Sequence, residues 1–314
     1  MLNNMNKRAK ITGLGDLINN CGFVYPAEAA RYVDENEGLT TNDGLSFATA
    51  FTTVTAALND LKNKSVDHPY IFIRGDLNES VITPLLSELN KVTIVGTSGG
   101  SNDHATQWRS DDADKPALTV KGAGYRFLNI KFRSYASTTV ETVKLQWDAT
   151  AHGALTEFDN CMFYGGYAAG GPGALNFYGA PYDCVVQNCY FEGYTNAGTD
   201  AKAIYCSNTP TAVPFRCRFL NNTFLECDRF IDIWQGTNSC VFMGNIFQGT
   251  GQSYANGYKL NLGGAFGTAN MVCGNYMGGT YAAGTDYKES GGTDDWNGNF
   301  CDVATTGLSR AVPV

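Results

Sequence analysis

The sequence predicts an all-β fold: a single-stranded right-handed parallel β-helix, or solenoid, with an N-terminal capping helix. Three observations carry that expectation. A six-residue segment recurs seven times among the 314 residues, a second short alternating segment precedes most copies, and no linker-like stretch interrupts the series.

The copies are "FLNIKF" (127–132), "FDNCMF" (158–163), "VQNCYF" (186–191), "FLNNTF" (219–224), "FMGNIF" (242–247), "VCGNYM" (272–277) and "WNGNFC" (296–301). Aligned on the fourth slot they follow one another at steps of 31, 28, 33, 23, 30 and 24 residues. The third slot holds only Asn129, Asn160, Asn188, Asn221, Gly244, Gly274 and Gly298. Asparagine and glycine enter left-handed backbone at lowest cost, so each copy predicts a tight bend. Beyond the bend, the two-residue period of a strand turns slots four and six inward and slot five outward. Slot six carries Phe132, Phe163, Phe191, Phe224, Phe247, Met277 and Cys301, an apolar column.

The preceding segments are "ALTVKG" (117–122), "TVKLQW" (142–147), "GALNFYG" (173–179), "AIYCS" (203–207), "FIDIW" (230–234) and "YKLNLGG" (258–264). Each alternates apolar with polar residues, as a half-buried strand does. Short strands, a fixed bend and loops of variable length describe one coil of a parallel β-helix. Eight or nine coils stacked at the inter-strand spacing would make a rod of roughly 40 Å. An antiparallel sandwich would require seven in-register bends to arise by coincidence.

An open sheet column exposes an edge that recruits other chains, so its end needs a lid. In residues 40–64, Phe47, Phe51, Val54, Leu58 and Leu61 stand at steps of 4, 3, 4 and 3, one apolar stripe of a helix entered from a polar "TTNDG" turn. Three regions follow: an N-terminal extension over 1–35 with Lys7, Arg8 and Lys10 as a basic cluster, a capping region over 36–66, and the β-helix over 67–314. The strands "YIFIRG" (70–75) and "KVTIVG" (91–96) are expected to begin the coils, and the extension is a candidate anchor onto a larger assembly.

Composition narrows the partners. With 22 Lys and Arg against 30 Asp and Glu, a net charge of -8 and no basic stripe, nucleic acid is not an expected partner. No run approaches a membrane span, and "MLNNMNKRAKITG" lacks the apolar core of a signal peptide, so synthesis in a cytoplasm is expected. The ten cysteines are irregularly spaced without a CxxC pair, which favours reduced, buried thiols. His68, His104 and His152 show no metal-ligand spacing, and "DENEGLTTNDG" (34–44) lacks the glycine and closing glutamate of a calcium loop. Neither metal nor cofactor is expected.

The stretch "YVDENEGLTTNDGLSFATAFTTVTAALNDL", then "YIFIRGDLNESVITP", "KVTIVGTSGG", "TQW" and "LTVKGAGYRFLNIKF", resembles the opening of pectate-lyase-like right-handed β-helix proteins of bacteriophage virions and bacterial surfaces. The later "NCMF" and "NCYF" copies resemble the same group's coils, so the resemblance spans roughly residues 30 to 302. It implies a virion component, a capsid decoration or a tail spike or fibre, with other virion proteins and host surface polysaccharide as partners. It leaves room for a homotrimer formed through the β-helix flank. The alternative it implies is a polysaccharide lyase or depolymerase acting on a host surface glycan. One superfold hosts all of these, so the choice rests on a site.

Such a site belongs on the outward column of the upstream strands: Lys144 and Gln146, Asn176, Tyr205, Asp232 and Asn261. Hydrolysis needs two carboxyl groups at about 5 to 10 Å. A lyase needs a base and cations for the developing negative charge. The column offers one carboxylate and no pair in adjacent coils, although loops add Asp148, Glu226, Asp228 and Arg229. If the protein is an enzyme, Asp232, Tyr205, Arg229 and Lys144 are the candidates, and "ECDRFIDIW" (226–234) is their densest stretch. For carbohydrate contact the candidates are Tyr178, Tyr182 and Tyr194, carried by glycine-rich segments.

Overall fold

The computed structural model describes residues 27–97, 106–134, 140–166, 173–195, 201–207, 213–234, 236–248, 260–263, 269–278, 287–288, 294–303 and 307–310. The expected bend column is present and left-handed throughout. Asn129, Asn160, Asn188 and Asn221 have φ between +53° and +57°, and Gly244, Gly274 and Gly298 between +64° and +67°. Every bend from Asn129 to Gly274 donates its N–H to a carbonyl of the following coil, from Asn129 to Asp159 at 3.2 Å through Gly274 to Asn297 at 3.2 Å. The stack therefore supplies a bond that offsets the cost of each bend, about 1 to 2 kcal/mol for a side-chain-bearing residue.

Three parallel sheets result. Sheet A runs from Ala30–Asp34 through Arg126–Leu128 and Glu157–Asp159 to Asp295–Asn297. Sheet B lies across the bend, from Asp76–Asn78 through Ile130–Arg133 to Phe300–Val303, and closes with the antiparallel Gly307–Arg310. Sheet C holds the upstream segments, including Val143–Gln146, Gly173–Tyr178, Lys202–Ser207, Arg229–Asp232 and Leu260–Asn261. One coil runs A, bend, B, loop, C, loop, and ten strands in sheet A span about 43 Å at the inter-strand spacing.

Parallel register puts like above like. Slot six becomes a ring stack in which Phe163 and Phe191 lie 4.5 Å apart, Phe191 and Phe224 4.8 Å, and Phe224 and Phe247 5.0 Å. Slot four is fully buried as expected, but its polar members need partners. Asn222, Asn245, Asn275 and Asn299 form a ladder: the first three Nδ2 groups each donate to the next side-chain oxygen at 2.9 to 3.0 Å, and Asn299 Nδ2 donates to the Val272 carbonyl at 2.8 Å. Cys161 and Cys189 take the slot upstream, bonded to coil carbonyls. Of the nine described cysteines eight are buried, and all nine are free thiols. Burial pushes the Cys189, Cys217 and Cys240 thiols well up, and Cys227 to about 12.

Two N-terminal expectations are corrected. Helix α1 covers only Val54–Asn63, because Thr53 is extended and caps it by accepting from the Ala56 N–H at 3.1 Å. Val54, Leu58 and Leu61 pack inward with Ala57, whereas Phe51 bridges to Val33 in extended backbone and Phe47 sits in a separate short turn. Glu79 adds a second cap, its carboxylate accepting from the Val54 and Thr55 N–H groups at 2.8 and 3.0 Å. The sheet also begins before residue 67, since Ala30–Asp34 pairs in register with Tyr70–Arg74. Buried Arg31 ties this first strand to the lid through Asp60 at 2.5 Å. Phe47 then covers outward-facing Tyr32 at 4.9 Å, with Phe72 stacked behind it at 5.4 Å. The remainder of the expected anchor, residues 1–26, lies outside the described residues.

Candidate functional site

Register on sheet C aligns Lys144, Asn176, Tyr205, Asp232 and Asn261 in one outward column, with Gln146, Tyr178 and Ser207 in the next. Outward does not mean open here. Asn176, Tyr205, Asp232 and Asn261 are all buried, so the column forms a compact polar layer on the sheet.

Asp232 has both oxygens engaged. Arg229 Nη1 donates to Oδ2 at 2.6 Å, Lys202 Nζ stands 3.7 Å from the same oxygen, and Asn261 Nδ2 donates to Oδ1 at 2.8 Å. Buried charge is tolerated when paired and hydrogen-bonded in this way. Tyr205 points back up the stack and donates to Glu141 Oε2 at 3.2 Å. Burial, reinforced by the Glu141 carboxylate, pushes its phenol far above the usual tyrosine range. Lys144 Nζ lies 3.9 Å from Glu141 Oε1 and 3.9 Å over the Tyr178 ring. Asn176 Nδ2 donates to Ser207 Oγ at 2.9 Å.

The four enzymatic candidates thus converge on one face, joined by Glu141 and Lys202, which the sequence reading missed. Glu141 lies just upstream of the strand whose alternation was read, and Lys202 follows from its register with Arg229. The face has two carboxylates after all, but Glu141 and Asp232 belong to coils three steps apart, about 14 Å along the axis.

The tyrosines part company. Tyr178 is half-buried beneath Lys144, and Tyr182 is wedged between Trp147 at 4.9 Å and Phe215 at 5.0 Å. Tyr194 is no surface platform: it is fully buried, its hydroxyl 3.0 Å from Thr142 Oγ1. The open aromatic is Trp234, 54% exposed and two residues beyond Asp232. Asp148, Glu226 and Asp228 build loops. Asp148 accepts from Gln146, Thr150 and Ala151, Glu226 adopts a left-handed bend, and Asp228 accepts from the Ala201 N–H. No group of three His, Cys, Asp or Glu side chains is placed to hold a metal among the described residues, and no described helix is long and apolar enough to cross a membrane.

A lid, single-residue bends and three parallel sheets define a right-handed parallel β-helix. Among solved structures the chain is similar to an alginate lyase from Paenibacillus sp. str. FPU-7, with TM-score 0.51 and 15% identity over 78% of this chain and 92% of that one. It is also similar to the pectate lyase Pel9A, with TM-score 0.54 and 14% identity over 84% and 67%. A tailspike depolymerase, gp49 of Acinetobacter baumannii bacteriophage Fri1, aligns over 89% of this chain and 56% of that one, at 13% identity and a TM-score of 0.31. Identities this low speak to the fold alone. No protein-family profile and no curated protein matches the sequence.

Proposed function

We propose that the chain is a β-helical component of a bacteriophage virion, a capsid decoration or tail protein. In this reading it presents the sheet C face to host surface glycan and holds the sugar without cleaving it. One observation carries the non-catalytic part: both oxygens of Asp232 are occupied by Arg229, Lys202 and Asn261. A general base needs a carboxylate open to substrate, and Asp232 is 1% exposed beneath these partners. The Tyr205 phenol, held protonated by burial and by Glu141, is a poor base at neutral pH. Glu141 and Asp232 stand on coils three steps apart rather than as a facing pair on adjacent coils. Exposed Trp234 and half-buried Tyr178, in one outward column two coils apart, suit sugar contact through ring faces. The virion assignment is supported by the sequence resemblance of the lid and first coils, and by a stacked rod's fitness to carry variable loops stiffly.

A lyase is the second reading, favoured by the Tyr205–Glu141 hydrogen bond with Lys144, Lys202 and Arg229 close by. Incubation of purified protein with host capsular or wall polysaccharide separates the two. The first reading expects unchanged chain length and no rise in ultraviolet absorbance from unsaturated ends, with the protein at ordered positions on imaged virions. Unsaturated product that disappears in Tyr205→Phe or Asp232→Ala overturns it.

A further inference from the structure

The first outward column of sheet C changes character at its N-terminal foot. Val81–Ile82 is the end strand of that sheet, and register sets Ile82 beside Thr119 and Lys144 in the column that continues to Asn176, Tyr205, Asp232 and Asn261. Every other member carries a polar group, yet Ile82 is apolar and 59% exposed. Helix α1 flanks this end of the sheet. Between the two lies a cleft of about 350 Å³, within the range of small-ligand sites.

Three uncommitted donors line this cleft. Lys121 is fixed through its backbone, its N–H donating to Thr83 Oγ1 at 2.9 Å and its carbonyl accepting from the His152 N–H at 2.7 Å. Its ammonium has no ion-pair partner among the described residues. Thr55 and Asn59, exposed one turn apart on α1, form the facing wall, and their side chains have no hydrogen-bond partner among the described residues. The other polar groups at the cleft are engaged. Lys62 Nζ meets Glu88 Oε1 at 2.7 Å, Glu88 Oε2 accepts from the Leu85 N–H at 3.0 Å, and Thr150 Oγ1 donates to Asp148 Oδ1 at 2.9 Å. One unbalanced positive charge therefore remains here, in a chain of net charge -8.

We infer that the lid cleft binds a small hydroxylated carboxylate, free or carried at the end of a glycan. Lys121 takes the carboxylate in a charge-assisted hydrogen bond, Asn59 and Thr55 take hydroxyl groups, and Ile82 supplies the apolar contact. A few fixed polar groups around an apolar wall are what orient a small ligand. The site is separate from the ring contact of Trp234: Lys121 and Trp234 share the second outward column four inter-strand steps apart, about 19 Å. Because sheet C has no strand beyond Val81–Ile82, a glycan lying along the column would end in this cleft. The inference rests on the glycan reading for that source of the ligand alone.

Calorimetric titration of the full chain at low ionic strength tests this with glucuronate, its methyl glycoside and glucose as probes. Glucuronate is expected to bind with a Kd of about 1 mM, and glucose at least about tenfold more weakly, the worth of one charge-assisted hydrogen bond. Lys121→Gln should remove that difference while Lys121→Arg, which keeps the charge, retains it. Ile82→Glu, which sets a carboxylate in the cleft, should abolish binding of the acid. Both positions lie at the surface of the cleft, so the variants are expected to keep the wild-type melting temperature. Binding of the methyl glycoside places the source at a glycan end, and binding of glucuronate alone places it in a free acid. Equal affinity for glucuronate and glucose, binding of neither, or a folded Lys121→Gln variant that still prefers the acid overturns the inference. Host polysaccharide that is not retained while glucuronate binds through Lys121 removes the sheet C reading and leaves this one standing.

Discussion

Asn245 donates from Nδ2 to the side-chain oxygen of Asn275 at 3.0 Å, and its own backbone N–H donates to that same oxygen at 2.9 Å. Asn222 repeats the arrangement onto Asn245. Asn245→Leu therefore leaves two buried donors of Asn222 without their acceptor. At about 1 to 3 kcal/mol for each buried group left unsatisfied, the variant is expected to lose roughly 3 kcal/mol in denaturant unfolding. Asn245→Cys should lose less, since Cys189 fills the same slot and Cys240 Sγ accepts from the Cys217 N–H at 3.3 Å elsewhere in the stack. Equal losses for both variants would show that volume, not hydrogen bonding, sets the slot.

The ring stack makes a separate prediction. Phe191 packs between Phe163 and Phe224 at 4.5 and 4.8 Å and is fully buried. Phe191→Ala should cost about 3 to 5 kcal/mol, and Phe191→Leu markedly less, as measured by equilibrium unfolding.

Acid stability should carry the signature of Asp148. Its bond from Gln146 Nε2 at 2.6 Å, with those from the Thr150 and Ala151 N–H groups, holds the carboxyl well below the usual aspartate range. A folded pKa below the unfolded one stabilises above the unfolded value near pH 4, and that stability is lost as the pH falls toward the folded value. The melting-temperature gap between wild type and Asp148→Asn is thus expected to be widest near neutral pH and to close in strong acid. A gap that widens in acid contradicts the assignment.

If the sheet C face holds glycan, Trp234→Ala should weaken retention of the protein by host polysaccharide in affinity electrophoresis by roughly fivefold, about 1 kcal/mol of ring contact. Tyr194→Phe should leave retention unchanged while lowering stability, because that hydroxyl is buried against Thr142.

The corner and its core slots were legible because burial and left-handed backbone each restrict residue type: slot six is apolar, and slot three is asparagine or glycine. A second left-handed column opens sheet A at Leu155, Asp183, Arg216, Ser239 and Ala269, and no residue preference betrays it. It is imposed by the stack, since Leu155, Asp183 and Arg216 each donate their N–H to the next coil at 2.9 to 3.1 Å. The helix was read too long because Phe47 and Phe51 share its spacing by coincidence, and spacing does not reveal where Thr53 caps. On sheet C, alternation gave the outward column but not its burial. Burial depends on what Glu141, Lys202 and Arg229 reach across three coils, a tertiary property.

The lid and the first strand are joined by Arg31 and Asp60, both within the first 63 residues, and every later coil bonds chiefly to the one before it. During synthesis these elements leave the ribosome before the later coils. Each new coil then finds a finished template and need reach back only 23 to 40 residues along the chain to pair. The rod can thus grow vectorially behind its own cap, with one exposed edge at a time.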